Sequence, residues 1–167
     1  RELWQKQANA MILTSQGIPF IPNGVEMLRT KPCVDPAFGY CDATGTFDHN
    51  SYRAPDETNQ IDWQWKIDNA NVVDYVEGLI DLRLNNPAFR LQSSQEIQDH
   101  LFFVEGTERG LIQYILANNA GGNEYKHIMV IHNNNEAKDV DLFGATWDVL
   151  VNRDQAGMTV LESITSL

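Results

Sequence analysis

The run Ile12-Leu13-Thr14-Ser15-Gln16-Gly17-Ile18-Pro19-Phe20-Ile21 carries two opposite signals within ten residues. Up to its start, Leu3, Trp4, Ala8, Met11 and Ile12 recur at helical spacing. Arg1 to about Leu13 therefore reads as an amphipathic helix. Thr14-Ser15-Gln16-Gly17 ends it, with Gly17 able to take the left-handed turn. Ile18-Pro19-Phe20-Ile21 is then short, apolar and without alternation, which predicts a strand buried on both faces, as in a parallel sheet. A Pro within it argues the other way, since proline removes a ladder donor. One buried parallel strand cannot form a sheet by itself, so this part of the chain reads as one piece of a repeated α/β architecture whose N-terminal partner lies elsewhere.

Outward from that run the pattern changes twice. Pro22 to Asn71 has no sustained period and holds Pro32, Pro36, Gly39, Gly45 and Pro55 among many Asp and Asn. A loop of that length is functional or disordered. Tyr40, Phe47, Tyr52, Trp63 and Trp65 argue for order, because disordered segments are poor in aromatics. Asn71 is placed to cap a second helix, with a wide apolar stripe from Val72, Val73, Tyr75, Val76, Leu79, Ile80 and Leu82. That helix stops near Asn85-Asn86-Pro87. After about Gln92 the period becomes strand-like. His100–Glu105, Leu111–Asn118, His127–Asn133, Lys138–Leu142, Trp147–Asn152 and Met158–Leu161 are the expected strands, separated by turn signals. The fold class expected is α/β plus all-β: residues 1–92 from an α/β unit with a long loop, and residues 93–167 as an antiparallel β-sandwich.

The 167 residues carry 12 Lys and Arg against 23 Asp and Glu, a formal net charge of −11. Nucleic acid is excluded as the expected partner, because phosphate binding needs a basic face. A membrane is excluded likewise, since no apolar run approaches the roughly 20 residues of a span. Arg1-Glu2-Leu3-Trp4 has no initiator Met and no signal-peptide pattern, so the chain is expected to begin inside something larger or after processing. Cys33 and Cys41 lack the further ligands a zinc site needs. A local disulfide and two free thiols both remain open at this point, and a disulfide favours an exported protein over a cytoplasmic one.

The same residues resemble a known family. Ile12–Ile21 closely resembles the last barrel strand of type I pullulanases, in glycoside hydrolase family 13, the α-amylase superfamily. Met27-Leu28-Arg29-Thr30-Lys31 follows in the same order. His49-Asn50-Ser51-Tyr52, Pro55-Asp56 and Asn59-Gln60-Ile61-Asp62-Trp63 match the family's loop after that strand. Gly78-Leu79-Ile80-Asp81-Leu82-Arg83 with Asn86-Pro87-Ala88-Phe89-Arg90 resembles the final barrel helix and its exit. The resemblance implies that residues 1–92 are the C-terminal part of a (β/α)₈ barrel, followed by a β-sandwich. It implies retaining hydrolysis of α-1,6 branch linkages in pullulan, starch or glycogen. That chemistry needs two carboxyl groups about 5–5.5 Å apart, and in the family both lie on earlier strands, upstream of this chain. No residue here is therefore expected to be catalytic, and the chain alone is expected to be inactive. The implied partners are an α-glucan and the missing N-terminal part of the same protein. Where the family usually reads His-Ala-Gly-Glu-Glu, this chain has Pro22-Asn23-Gly24-Val25-Glu26, and the segment from Pro32 to Asp48 is longer than usual.

Sugar sites need flat aromatic faces and planar polar groups for hydroxyl pairs. Asn50, Tyr52, Arg53, Asp56 and Asn59 supply both and are the expected substrate contacts. The bland alternative has Asp56 and Asn59 capping turns and Tyr52 packing under the loop. Trp63 is expected in the core. No cofactor is expected; Asp35, Asp42 and Asp48 offer carboxylates for Ca²⁺, although their spacing matches no EF-hand loop. His49, His100, His127 and His132 have no metal spacing. Within the enzyme class, an isoamylase-type or α-amylase-type relative is the runner-up. In another class stands a non-catalytic starch-binding β module, gripping sugar with an exposed aromatic pair that includes Trp147 or Tyr114. A third reading gives the β domain a purely structural part.

Overall fold

The computed structural model describes residues 1–37, 40–134 and 136–165. In chain order the elements are α1 (Glu2–Thr14), α2 (Asp56–Asn59), α3 (Gln64–Asp68), α4 (Ala70–Asn85), α5 (Ser94–His100), β1 (Leu101–Phe103), β2 (Leu111–Leu116), β3 (Ile128–Asn133), β4 (Thr146–Val149) and β5 (Glu162–Thr165), with short 3₁₀ turns between them. The chain forms two compact units. One joins Arg1–Phe20 to Asp74–Leu167, and the other is Ile21–Val73.

The larger unit holds both sheets. β1, β2 and β3 form an antiparallel sheet in that order, and β4 pairs with β5 in a second, two-stranded one. The registers run Leu101↔Leu116 and Phe103↔Tyr114 between β1 and β2, and Leu116↔Ile128 to Leu111↔Asn133 between β2 and β3. Both sheets are open. The architecture is thus α plus β with open antiparallel sheets. Tyr114, Leu116 and Val130 from the three-stranded sheet meet Leu82, Ala88, Phe89 and Leu91 in one core. Burying each large side chain of this kind is worth about 1.5–3 kcal/mol.

Side-chain hydrogen bonds fix how α1 and α4 join this core. The last turn of a helix leaves carbonyls without intrahelical partners. Arg83, buried on α4, donates to the carbonyls of Leu13, Ser15 and Gly17 at 2.8, 2.7 and 2.6 Å. Tyr114 Oη donates to the Thr14 carbonyl at 2.9 Å. Gln16 bridges Ala88 O and Leu91 N–H. Gly17 takes the left-handed φ of 86° that its place after α1 requires. Two turns earlier on the same buried face of α1, Lys6 is buried, with Nζ 4.9 Å from the Tyr75 ring centroid and 3.2 Å from Asp154 O.

Several expectations need correction. Ile18–Ile21 lies in no strand, and Ile18 and Phe20 are 97% and 87% exposed. A doubly buried strand needs hydrogen-bonding neighbours on both edges and cover on both faces, and no described strand pairs with this run. Asn71 does not cap α4, which begins one residue earlier at Ala70. Trp63 is not core: it is 67% exposed beside α3, a single turn with no buried residue. Lys138–Leu142 forms no strand. Its Asp141 carbonyl accepts from Gln113 Nε2 at 2.9 Å, and its Leu142 carbonyl from Trp147 Nε1 at 3.0 Å, so side chains hold it rather than a ladder. The last strand falls on Glu162–Thr165 instead of Met158–Leu161, because the register with β4 sets it there. α5 was not expected. Ser93 caps it, with Glu96 returning to the Ser93 backbone in a full capping box.

Candidate functional site

The unit Ile21–Val73 carries the five expected sugar contacts. Its first turn is set by glycine. Gly24 has φ 93°, and a Cβ there would stand 2.7 Å from the Arg29 side chain. Arg29 N–H returns to Gly24 O at 2.9 Å, and the Arg29 guanidinium donates to the carbonyls of Asn23 and Asn59. Glu26 accepts from Gly24 N–H at 3.0 Å.

A hairpin-like excursion follows. Bridges pair Pro32 with Phe47 and Cys41 with Asp48. Cys33 and Cys41 are joined as a disulfide, with their Cα atoms 5.5 Å apart. Asp42 Oδ1 accepts from the Thr44 hydroxyl and from the backbone N–H groups of Thr44, Thr46 and Phe47. The Thr44 hydroxyl bond, then the backbone bond from Thr46, hold its carboxyl below the ordinary carboxylate range. That shift is opposite to what a general acid needs. Asp35 and Asp48 likewise accept from their own loop, at Ala37 N–H and Asn50 N–H. These carboxylates serve the turns, and among the described residues no three His, Cys, Asp or Glu side chains are placed to hold a metal.

Beyond the hairpin, residues Ser51–Arg53 form a 3₁₀ turn and Pro55 is the N-cap residue of α2. Asn59 ties the two together. Its amide donates to Ser51 O at 2.9 Å and Ala54 O at 3.2 Å, while its Oδ1 accepts from the Ser51 hydroxyl at 2.8 Å. Lys31 Nζ reaches that hydroxyl at 2.5 Å, and buried Thr58 donates to Pro32 O at 2.9 Å. The loop is therefore clamped from within. Asn50, Tyr52, Arg53 and Asp56 are all exposed, Tyr52 at 92%. The structure thus sorts the five residues. Four present their side chains to solvent around one clamped turn, and the half-buried Asn59 turns its amide into the loop. Tyr52 does not pack beneath it.

Elsewhere, Tyr114 is buried and the half-buried Trp147 is hydrogen-bonded to Leu142 O, so this pair offers no sugar platform. His100 Nδ1 lies 2.8 Å from Ala117 O, and His132 Nε2 lies 3.1 Å from the Thr14 hydroxyl. Burial lowers the His132 pKa below its ordinary value. A cavity of about 930 Å³ in the larger unit is lined by Trp4, Tyr75, Val130, His132 and Trp147 among others. Tyr40, which the sequence marks only as one of the aromatics favouring an ordered loop, is exposed and paired through its backbone with His49. Its position next to Cys41 was the available signal.

Residues 97–155 match the family model described as the pullulanase all-beta domain. Over 128 residues, 77% of this chain, the sequence is 40% identical to a pullulanase of Bacillus subtilis. Pullulanase A of Streptococcus pneumoniae is 38% identical over 59% of the chain. Among solved structures, a pullulanase from Bacillus acidopullulyticus aligns over 98% of this chain with a TM-score of 0.83 and 33% identity. The product complex of the multi-modular glycogen-degrading pneumococcal virulence factor SpuA aligns over 96%, with a TM-score of 0.78 and 29% identity. A pullulanase from Paenibacillus barengoltzii, solved with maltohexaose and α-cyclodextrin, aligns over 89% at 0.73 and 33%. The chain spans 16% of the length of the Bacillus subtilis protein and 18% of the Bacillus acidopullulyticus chain.

Proposed function

We propose that this chain, a C-terminal portion of a protein of the pullulanase family, serves a glycoside hydrolase that cleaves α-1,6 branch linkages in pullulan, starch or glycogen. The observation that carries this reading is the alignment of 98% of the chain on a pullulanase structure at a TM-score of 0.83. Residues 1–92 complete the C-terminal side of a (β/α)₈ barrel, whose substrate loops lie at the C-terminal ends of the strands. Residues 93–167 form the accompanying β domain, with a structural part.

Retaining hydrolysis uses one carboxylate as nucleophile and a second carboxyl as acid and then base. In this reading both lie upstream of Arg1. The chain's own contribution is to bind and orient the α-glucan. Asn50 and Arg53 offer planar hydrogen-bonding groups to sugar hydroxyls, Asp56 accepts from them, and Tyr52 offers a ring face. Asn59 is a positioning residue that holds the turn bearing them. The Cys33–Cys41 disulfide supports an exported, oxidising location.

The test is release of reducing ends from pullulan. The complete protein is expected to release them, and this chain alone is expected to give none above blank. Release by the pure, sequence-verified chain would overturn the assignment of the carboxyl groups to the upstream part. A complete protein inactive on pullulan yet active on linear α-1,4 glucan would move it to another branch of the superfamily.

A further inference from the structure

The described residues of the excursion from Lys31 to His49 include none of the expected sugar contacts, yet hydrogen bonds and a disulfide tie them together. Asp48 N–H donates to Lys31 O at 2.8 Å, Cys33 N–H to Thr46 O at 3.0 Å, Asp42 N–H to Phe47 O at 2.7 Å and His49 N–H to Tyr40 O at 3.0 Å. The disulfide closes the same ladder, and the Asp42 carboxylate gathers its tip. On this frame Tyr40 is 57% exposed, with its ring 5.9 Å from that of His49 at 57°. More than half of Tyr40 is left to solvent, so burial of this side chain does not by itself account for the frame. A tyrosine held on a fixed backbone loses little entropy on contact, and offers an apolar face with a polar tip. Its backbone is joined to His49, and Asn50, Ser51 and Tyr52 follow directly. The ring thus stands on the rung next to the turn that presents the expected sugar contacts.

Resting on the α-glucan reading above, we infer that Tyr40 is a further sugar-binding residue that stacks on a glucose unit of the glucan chain. The disulfide and Asp42 pre-organise it. Pre-organisation raises affinity by removing an ordering cost from binding.

The experiment uses the complete protein and linear maltohexaose, which contains no branch linkage, so that calorimetry reads binding without turnover. Tyr40→Ala is expected to weaken maltohexaose binding by about 5- to 10-fold, the range of one aromatic contact. Tyr40→Phe keeps the ring and is expected to stay within about twofold of wild type. The double variant Cys33→Ser/Cys41→Ser is expected to weaken binding in the same direction as Tyr40→Ala. Equal affinity of Tyr40→Ala and wild type would overturn the inference. So would a fall in Tm with affinity retained, which would mean that the ring is covered by the rest of the protein. A wild type that does not bind maltohexaose would overturn it too. Pullulan hydrolysis by the same wild-type sample reports on the α-1,6 reading separately: binding that depends on Tyr40 without pullulan hydrolysis would sustain this residue's role and remove the branch specificity.

Discussion

Gly78→Ala is the most revealing single change in the larger unit. Gly78 lies inside α4, where exchange of glycine for alanine normally stabilises by about 0.5–1 kcal/mol. Here the sign should reverse. A Cβ at residue 78 would stand 2.0 Å from the Ala156 carbonyl oxygen and 2.6 Å from its carbon. Backbone has to retreat by about 1 Å before the contact is tolerable, which is the overpacking case and costs typically 1–3 kcal/mol. The backbone that retreats is a hydrogen-bonded turn. Val151 bridges to Ala156, Asn152 N–H donates to Gln155 O at 2.9 Å, and Asn152 Oδ1 accepts from Asp154 and Gln155 N–H at 2.9 Å each. Tyr75 Oη donates to Asn152 O at 3.0 Å and Lys6 Nζ to Asp154 O at 3.2 Å. Losing two of these adds about 2 kcal/mol at roughly 1 kcal/mol each. Against the helical gain, the net destabilisation is about 2–4 kcal/mol. Hydrogen-exchange mass spectrometry of the complete protein should show the peptide spanning 151–156 exchanging faster in the variant, with a lower urea midpoint. An unchanged or raised midpoint with wild-type exchange at 151–156 would refute the close approach of α4 to this turn.

Asp56→Ala in the complete protein should lower kcat/KM on pullulan by about 10- to 100-fold, the worth of a hydrogen bond to a charged group, with an unchanged melting curve; wild-type kinetics would assign Asp56 to its turn alone. Arg83→Met should destabilise by about 3–5 kcal/mol, because three carbonyls, one in the last turn of α1 and two just after it, lose their donor. Arg83→Lys should recover only part of it, since one ammonium cannot span the fork, and the urea midpoint of each variant measures both. His132 carries a pKa depressed by burial, so the unfolded chain binds its proton first as pH falls. Stability from this residue is intact above about pH 6.5 and is lost as pH drops through the lower, folded value; His132→Gln should flatten that part of a urea-midpoint profile against pH.

Local patterns made much of the larger unit legible. The spacing Leu3, Trp4, Ala8, Met11, Ile12 gives α1 within a residue, and Pro87 gives the end of α4, because both are properties of a few neighbouring residues. The strand signals at 100–105, 111–118 and 127–133 contain β1, β2 and β3 for the same reason. Ser93-x-x-Glu96 is also a local signal for α5, a capping box set among residues whose period is already strand-like. At the candidate site, the residue types and order of Asn50, Tyr52, Arg53, Asp56 and Asn59 identified the turn.

What the sequence determined by itself is therefore the local grammar: helix periods, glycine turns, the proline stop and the motif order that points to pullulanases. Only the tertiary structure decided which of those side chains face solvent. Asn59 clamps Ser51 and Ala54 while its neighbours in the motif stay exposed, and nothing in the spacing distinguishes them. Only the structure showed that Ile18–Ile21 forms no strand and leaves Ile18 and Phe20 exposed, and moved the last strand to Glu162–Thr165. The reason is physical. Periodicity reports what a segment can bury or pair, whereas burial and register also require a partner, and the partner is chosen by residues far away in the chain or outside it.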